Sequence, residues 1–366
     1  MTTTTSPLLS LAGAVEGSGI DAGVAAHYGS FNAEQRTLVS GAGFVDLSHR
    51  DVLRISGPDR LTWLHSLTSQ AFEGLAPQEW RSALILSPQG HVEHFLSGYD
   101  DGTSFTAWTE PGLGAALVAY LDRMRFWSDV TVSSVPELAV VWRPGGGPHR
   151  ASAGLHADGR PDTPDGIPHM HDPGPGRTMF VPRSELEALP GALGDPAGMW
   201  AYEAIRIARG EPRFRLDTDD RTIPNEVGWL PGGPVAAVHL DKGCYRGQET
   251  VARVHTLGRP PRRLTLLHLD GSENRLPAIG APLYLASEVL DGVGPIAVGE
   301  STSDPAPARP VGFVGSSARH HELGPIALGL VKRSVPTDAL LSADGMPAAQ
   351  EILVDPEVGL HVRPLR

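Results

Sequence analysis

Lys242-Gly243-Cys244-Tyr245-Arg246-Gly247-Gln248-Glu249-Thr250 is the stretch around which the chain is organised. It carries the single cysteine of the 366 residues, with glycines and cations on both sides of it. Neighbouring cations favour the thiolate, the nucleophilic and metal-binding form of cysteine. Glycine lets the backbone enter φ > 0 and lets a ligand approach closely. One reading is therefore an activated thiol on a glycine-hinged loop. The other is a small buried hydrophobe, because burial raises the thiol pKa and silences it. The run that follows, Val251-Ala252-Arg253-Val254-His255, alternates and predicts a strand.

Outward from this loop, composition narrows the class. Hydrophobic residues make up 40% of the chain, enough for two or three domains. A formal net charge of −12 argues against a broad nucleic-acid footprint, which needs a basic face. The one basic cluster, Arg259-Pro260-Pro261-Arg262-Arg263, reads as a solvated interdomain linker. A single cysteine forms no intrachain disulfide and fits a reducing, cytoplasmic setting. Nor can it ligate an iron–sulfur cluster alone, since such clusters take four protein ligands. No apolar run reaches the ~18 residues of a membrane-spanning helix. Residues 1–40, opening on Thr2-Thr3-Thr4-Thr5, are expected to form a mobile tail.

From Val45 the pattern tightens. Val52-Leu53-Arg54-Ile55-Ser56-Gly57 predicts a strand, and Pro58-Asp59 opens a helix through Leu61, Leu64 and Leu67. Two strands, 82–87 and 91–97, flank the turn Pro88-Gln89-Gly90. A helix after Glu110-Pro111 carries Leu113, Leu117, Leu121 and Met124 on one face, a core stripe. Residues 143–177 are broken by Gly and Pro and read as an irregular insert; its histidines show no metal-binding geometry. Ser184-Glu185-Leu186-Glu187 has the form of a capping box, and a helix is expected from Asp195-Pro196 to Gly210. Past Arg263, short apolar runs separated by Gly/Pro turns predict a β-barrel over 259–366, with 296–299 among its strands.

Lys242-Gly243-Cys244-Tyr245 followed by Gly247-Gln248-Glu249 resembles the signature of the YgfZ family, folate-binding proteins linked to iron–sulfur enzymes. The wider pattern from about Val45 onward resembles the related glycine-cleavage T-protein, an aminomethyltransferase. The fold so implied is α+β: a folate-binding region over 41–258, built of two intertwined α+β subdomains, followed by the C-terminal barrel. The function implied is a folate-binding accessory protein for assembly, insertion or repair of iron–sulfur clusters, with tetrahydrofolate as cofactor. Its partners would be client enzymes or cluster-assembly proteins, with no membrane, resident metal or nucleic acid. Cys244 would act chemically, poised by Lys242 and Arg246. Gly243 and Gly247 would shape the loop, Tyr245 would belong to it, and Gln248 and Glu249 would brace it. Tyr202, or its neighbour Trp200, would stack on the pterin, with Asn225, Glu226 and Arg253 as further folate contacts; Asp46 is another acceptor.

The chain also departs from the T-protein pattern. That family carries adjacent aspartates where this sequence has His94 and Phe95, and a folate-binding glutamate where it has Ala208. An imidazole and a phenyl ring cannot replace a carboxylate acceptor. The alternatives are a folate-dependent one-carbon transferase, which those losses oppose, and a folate-free scaffold.

Overall fold

The computed structural model describes residues 5–145, 176–287 and 309–361. The N-terminal residues fold first into a hairpin, β1 (Val15–Glu16) with β2 (Ala25–His27), and then helix α1 (Phe31–Val39). Residues 5–40 are thus folded, which corrects the mobile tail expected over 1–40; residues 1–4 lie outside the described residues. Leu8, Val24 and Leu38 are buried, Ser6 Oγ donates to Asp46, and the Glu34 carboxylate accepts from the amides of Tyr28 and Gly198, both at 2.8 Å. These anchors are scattered apolar and polar residues held by distant partners, which leaves little local pattern to read.

Two sheets follow, and the chain passes between them. Strand β3 (Phe44–Asp46) belongs to the first sheet. The chain then builds the second sheet with β4 (Asp51–Ser56), α2 (Arg60–Leu67), β5 (Trp80–Leu86), β6 (Val92–Asp100), β7 (Ser104–Thr109), α3 (Gly114–Arg123) and β8 (Thr131–Ser134). Strand order there is β5-β6-β7-β4-β8. It returns to the first sheet with β9 (Leu138–Pro144), β10 (Gly176–Pro182), α4 (Leu189–Leu193) and β11 (Pro196–Ala197), giving β10-β9-β3-β11. Helix α5 (Met199–Ala208) closes this part. The interleaving is the intertwining of two α+β subdomains.

Side chains alternate across each strand, and the second sheet uses both faces. Ala83, Ile85, Leu96 and Phe105 pack under α2 and α3, while Trp80, Leu84, Phe95 and Trp108 join the central core on the other face. Residues after α5 lead through α6 (Gln248–Leu257) into β12 (Arg262–Leu269), β13 (Pro282–Leu285), β14 (Gly312–His320), β15 (Gly324–Lys332), β16 (Leu341–Ala343) and β17 (Met346–Ile352). These six close in the order β12-β15-β14-β13-β16-β17. In β15, Ala327 and Val331 fill the barrel, while Ile326, Leu328 and Leu330 pack against the N-terminal body.

Several local expectations need correction. Val251–His255 is helix, within α6, not strand; Val251 and Val254 also satisfy i, i+3 spacing, and only Val251 of α6 is buried. The helix expected at Asp195 starts at Met199, because Pro196–Ala197 pairs in parallel with Phe44–Val45. That expected after Glu110-Pro111 starts at Gly114, whose amide donates to Asp51 at 2.8 Å. Ser184 makes no cap; a 3-10 turn over Arg183–Ala188 stands there. The ends of the 143–177 insert are ladder residues, with Pro144 opposite Gly176. Its middle, with His149, His156, His169 and His171, lies outside the described residues, as does the strand expected at 296–299. Among the described residues no helix is long and apolar enough to cross a membrane.

Candidate ligand cavity and cysteine loop

The two sheets, α5 and the segments after it surround a cavity of about 550 Å³. Small-molecule sites run from about 300 to 1,000 Å³ and are mostly aromatic and apolar with a few placed polar groups. Aromatic walls come from Trp80 on β5, Phe95 on β6, Trp108 on β7, Trp142 on β9, Tyr202 on α5, and Phe214. Phe95 and Trp108 rings lie 5.5 Å apart, and Trp142 meets Tyr202 edge-on at 5.3 Å. The Arg50 guanidinium sits 3.9 Å over the Trp108 ring and donates to Tyr202 Oη at 3.4 Å.

A buried ion network forms the back wall. Arg213 donates to Glu110 at 2.8 Å, to Glu203 at 2.9 Å and to Asp21 at 3.0 Å. Arg206 pairs with Glu203 and, at 2.9 Å, with Asp217; Arg50 lies 3.7 Å from Glu110. Buried charges survive only when paired in this way. Burial raises the Glu110 carboxyl, but Arg213 and Arg50 outweigh it and hold its pKa below the ordinary carboxylate value. Burial alone lowers the Arg213 pKa, but Glu110, Glu203 and Asp21 outweigh it and hold it well above the ordinary value. Tyr202 is raised by burial and stays a neutral hydroxyl. Arg50 Nε and Trp108 Nε1 are buried with no hydrogen-bond partner among the described residues. Each such donor carries a desolvation cost of about 1–3 kcal/mol.

A flat, polar-edged heterocycle suits this chemistry. The rings offer stacking faces, and the unpartnered donors can take ligand acceptors. The residues present therefore fit a pterin.

Of the site residues read from sequence, only Tyr202 lines the cavity. Trp200, two residues away, points to the other side of α5. It is 52% exposed and packs on His27 and Phe31. Asn225 is buried, and its Nδ2 donates to Val251 O at 3.3 Å. Glu226 is held by Arg262 at 2.8 Å and by the Ile223 amide at 3.1 Å. Arg253 is exposed on α6, and Asp46 is occupied by Ser6 and the Ser48 amide. Trp200, Asn225, Glu226, Arg253 and Asp46 thus stand away from the cavity. The sequence reading missed Arg50, Glu110, Trp108, Trp142 and Arg213. Each is one charged or aromatic residue in a strand or loop, and sequence does not tell a buried charge from a solvated one. The partial signal was Gly210-Glu211-Pro212-Arg213, which follows α5 directly.

β6 sends His94 and Phe95 to opposite faces of the sheet. Phe95 lines the cavity, while His94 faces the helices and packs on Tyr120 at 5.3 Å. Burial, then Arg215 and Arg123, push His94 down to about 4.

The loop around Cys244 is built differently from the expectation. Cys244 is exposed. Lys242 is 8% exposed, and its ammonium donates to His65 O, to Thr68 O at 2.6 Å and to Gln70 O at 3.1 Å, at the end of α2. Burial pushes Lys242 down to about 8. Arg246 pairs with Glu93 at 3.1 Å. Both cations expected to poise the thiol are thus committed to other acceptors. Tyr245 is buried, with Lys242 Nζ 5.0 Å from its ring centroid, and burial raises its hydroxyl to about 12. Gln248 Nε2 braces the loop by donating to Lys242 O at 3.3 Å, whereas Glu249 is exposed. Gly247 has φ 82°, and a Cβ there would meet Ser87 O at 2.5 Å and Gly90 Cα at 3.0 Å. Gly243 faces open space, so no steric need for glycine exists there. The loop is nonetheless joined to the cavity rim. Gln70 and His239 line the cavity; Gln70 Nε2 donates to Ala236 O at 2.8 Å and the His239 amide to Ser69 O at 2.9 Å.

No family model matches the chain. It is 26% identical over 255 residues to a chloroplastic protein of Arabidopsis thaliana that carries a provisional transferase name. That match covers 63% of this chain and 57% of the relative, so the chain spans little over half of that protein's length. It is 25% identical over 321 residues to an aminomethyltransferase of Rippkaea orientalis, covering 77% of this chain and 83% of the relative. Among solved structures it is similar to the glycine cleavage system aminomethyltransferase T of Bartonella henselae. The TM-score there is 0.71 at 18% identity, over 97% of this chain and 99% of that one. The chain therefore has the T-protein fold, an α+β body with a C-terminal six-stranded barrel.

Proposed function

We propose that this chain is a folate-binding accessory protein of the YgfZ type, which supports assembly, insertion or repair of iron–sulfur clusters in client enzymes. The observation that carries the folate half is the aromatic cavity with its unpartnered Arg50 and Trp108 donors. Tyr202, Trp108 and Trp142 would hold the pterin, with Arg50 as the charged contact. Tetrahydrofolate would supply a one-carbon carrier there. The client half rests on the resemblance of the 242–249 loop and on the exposure of Cys244. A reducing, cytoplasmic setting suits an exposed thiol.

Accessory function is preferred over aminomethyl transfer because a phenyl ring, Phe95, stands in the cavity wall where the transferases are expected to carry a carboxylate. A second reading, a one-carbon transferase, is favoured by the names of the two relatives and by Glu110 and Glu211, which also line the cavity. Titration of tetrahydrofolate with tryptophan fluorescence and thermal unfolding as readouts tests the binding half. At 100 times Kd the ligand stabilises by about 2.7 kcal/mol. No quenching and no shift would leave a folate-free scaffold. Aminomethyl transfer to tetrahydrofolate, assayed with the same protein, would favour the transferase. Restoration of a cluster enzyme in a deletion strain tests the client half, and full rescue by Cys244→Ala would remove the thiol from it.

A further inference from the structure

A second cavity, of about 490 Å³, lies on the far side of α5. The N-terminal segment, α5 and the barrel wall it, so residues far apart in sequence meet there. Trp200 (52% exposed) and Ile279 (58% exposed) stand at it with Phe31 and Leu276 and give it an apolar wall. Its acidic groups are Asp21 and Glu203, both members of the buried ion network.

The state of those two carboxylates differs. Glu203 has both oxygens engaged by Arg206, and Arg213 adds a further contact. Asp21 uses Oδ1 alone, for Arg213 at 3.0 Å and His49 Nε2 at 3.1 Å. Its Oδ2 has no partner among the described residues, and its side chain is 19% exposed. The network sets the guanidiniums of Arg50, Arg206 and Arg213, with the His49 imidazole beside Asp21, against the carboxylates of Asp21, Glu110, Glu203 and Asp217. Arg319 is the remaining cation at the cavity, and its Nη2 is turned to Asn274 O at 2.6 Å.

We propose that this cavity binds a small organic amine, whose apolar or aromatic body lies against Trp200 and Ile279 and whose ammonium meets Asp21 Oδ2. An indole face attracts cations as well as apolar surface. A carboxylate oxygen that is partly desolvated and unshared is a strong acceptor for an ammonium. Burial tends to raise the Asp21 carboxyl, but His49 and Arg213 overcome it and keep Asp21 ionised at any physiological pH.

Calorimetric titration of the full chain with three probes tests this: tryptamine, its neutral analogue tryptophol and the anion indole-3-acetate. Tryptamine is expected to bind saturably, and tryptophol about tenfold more weakly, the worth of one charge-assisted hydrogen bond. Asp21→Asn should remove that difference. Because Asp21 also supports Arg213, Ile279→Arg serves as the second variant; it adds a cation at the exposed wall and should weaken tryptamine by a similar factor. No saturable tryptamine binding overturns the proposal. So does equal or tighter binding of indole-3-acetate, which would point to Arg319. Tryptamine binding unchanged by Ile279→Arg also overturns it, because the amine would then sit elsewhere.

Discussion

Tyr202 and Trp200 stand two residues apart on α5 and, at about 100° per residue, on nearly opposite sides of it. Tyr202 is 8% exposed and faces a cavity with aromatic walls and a charged back; Trp200 faces a cavity that is mostly apolar, with one uncommitted carboxylate oxygen. The helix is a partition. The buried network of Arg206, Arg213 and Glu203 runs past it and touches both sides. Two rings that look interchangeable in sequence therefore belong to different chemistry.

The strongest way to break this picture is to remove what the two sides share. Arg213→Met leaves Glu110, Glu203 and Asp21 short of a partner and should cost about 3–5 kcal/mol in urea unfolding. A variant as stable as the parent would mean the two sides are independent. Next is Lys242→Met, which touches only the rim of the central cavity. Loss of its hydrogen bonds to the end of α2 should cost about 1.5–3 kcal/mol and speed proteolysis around residues 239–247. Unchanged proteolysis would mean the loop is held by Tyr245 alone.

The sharpest contrast is between the two rings themselves. Tyr202→Leu should weaken tetrahydrofolate by about tenfold, about 1.4 kcal/mol. Trp200→Leu should leave folate affinity unchanged and stability within about 0.5 kcal/mol. Equal losses would erase the distinction. A contrast outside both cavities lies on the helix-facing side of β6, at His94. Its folded pKa of about 4 is below the ordinary 6.5, so the unfolded chain takes up the proton first as pH falls. The stability contributed is present above about pH 6.5 and declines toward pH 4. His94→Phe should flatten that part of the acid-unfolding curve, with no change in ligand binding.

The fold was legible where one physical rule governed a whole element. Alternation in β5 and β6, the apolar face of α3 and the short barrel strands all follow from burial on one side. The cysteine loop was legible as a motif, but its electrostatics were not. Lys242 sits two residues from Cys244, yet its ammonium reaches the carbonyls of residues 65, 68 and 70. The cavity was the least legible part. Arg50, Glu110 and Arg213 come from three separate segments, and only their mutual burial makes them a wall. The first forty residues failed for the same reason, since Ser6, Leu8 and Glu34 are held by partners distant in sequence.

Strands β9 and β10 meet with Pro144 opposite Gly176 and Trp142 opposite Thr178, and Trp142, Gly176 and Thr178 all lie at the central cavity. A side chain at 176 would run into the Trp142 indole, so this end of the ladder tolerates little change. Crowding at position 176 would be felt across the ladder: a displaced Trp142 indole would lose its edge-on seat against Tyr202, and the pocket would change shape with no ligand contact altered directly.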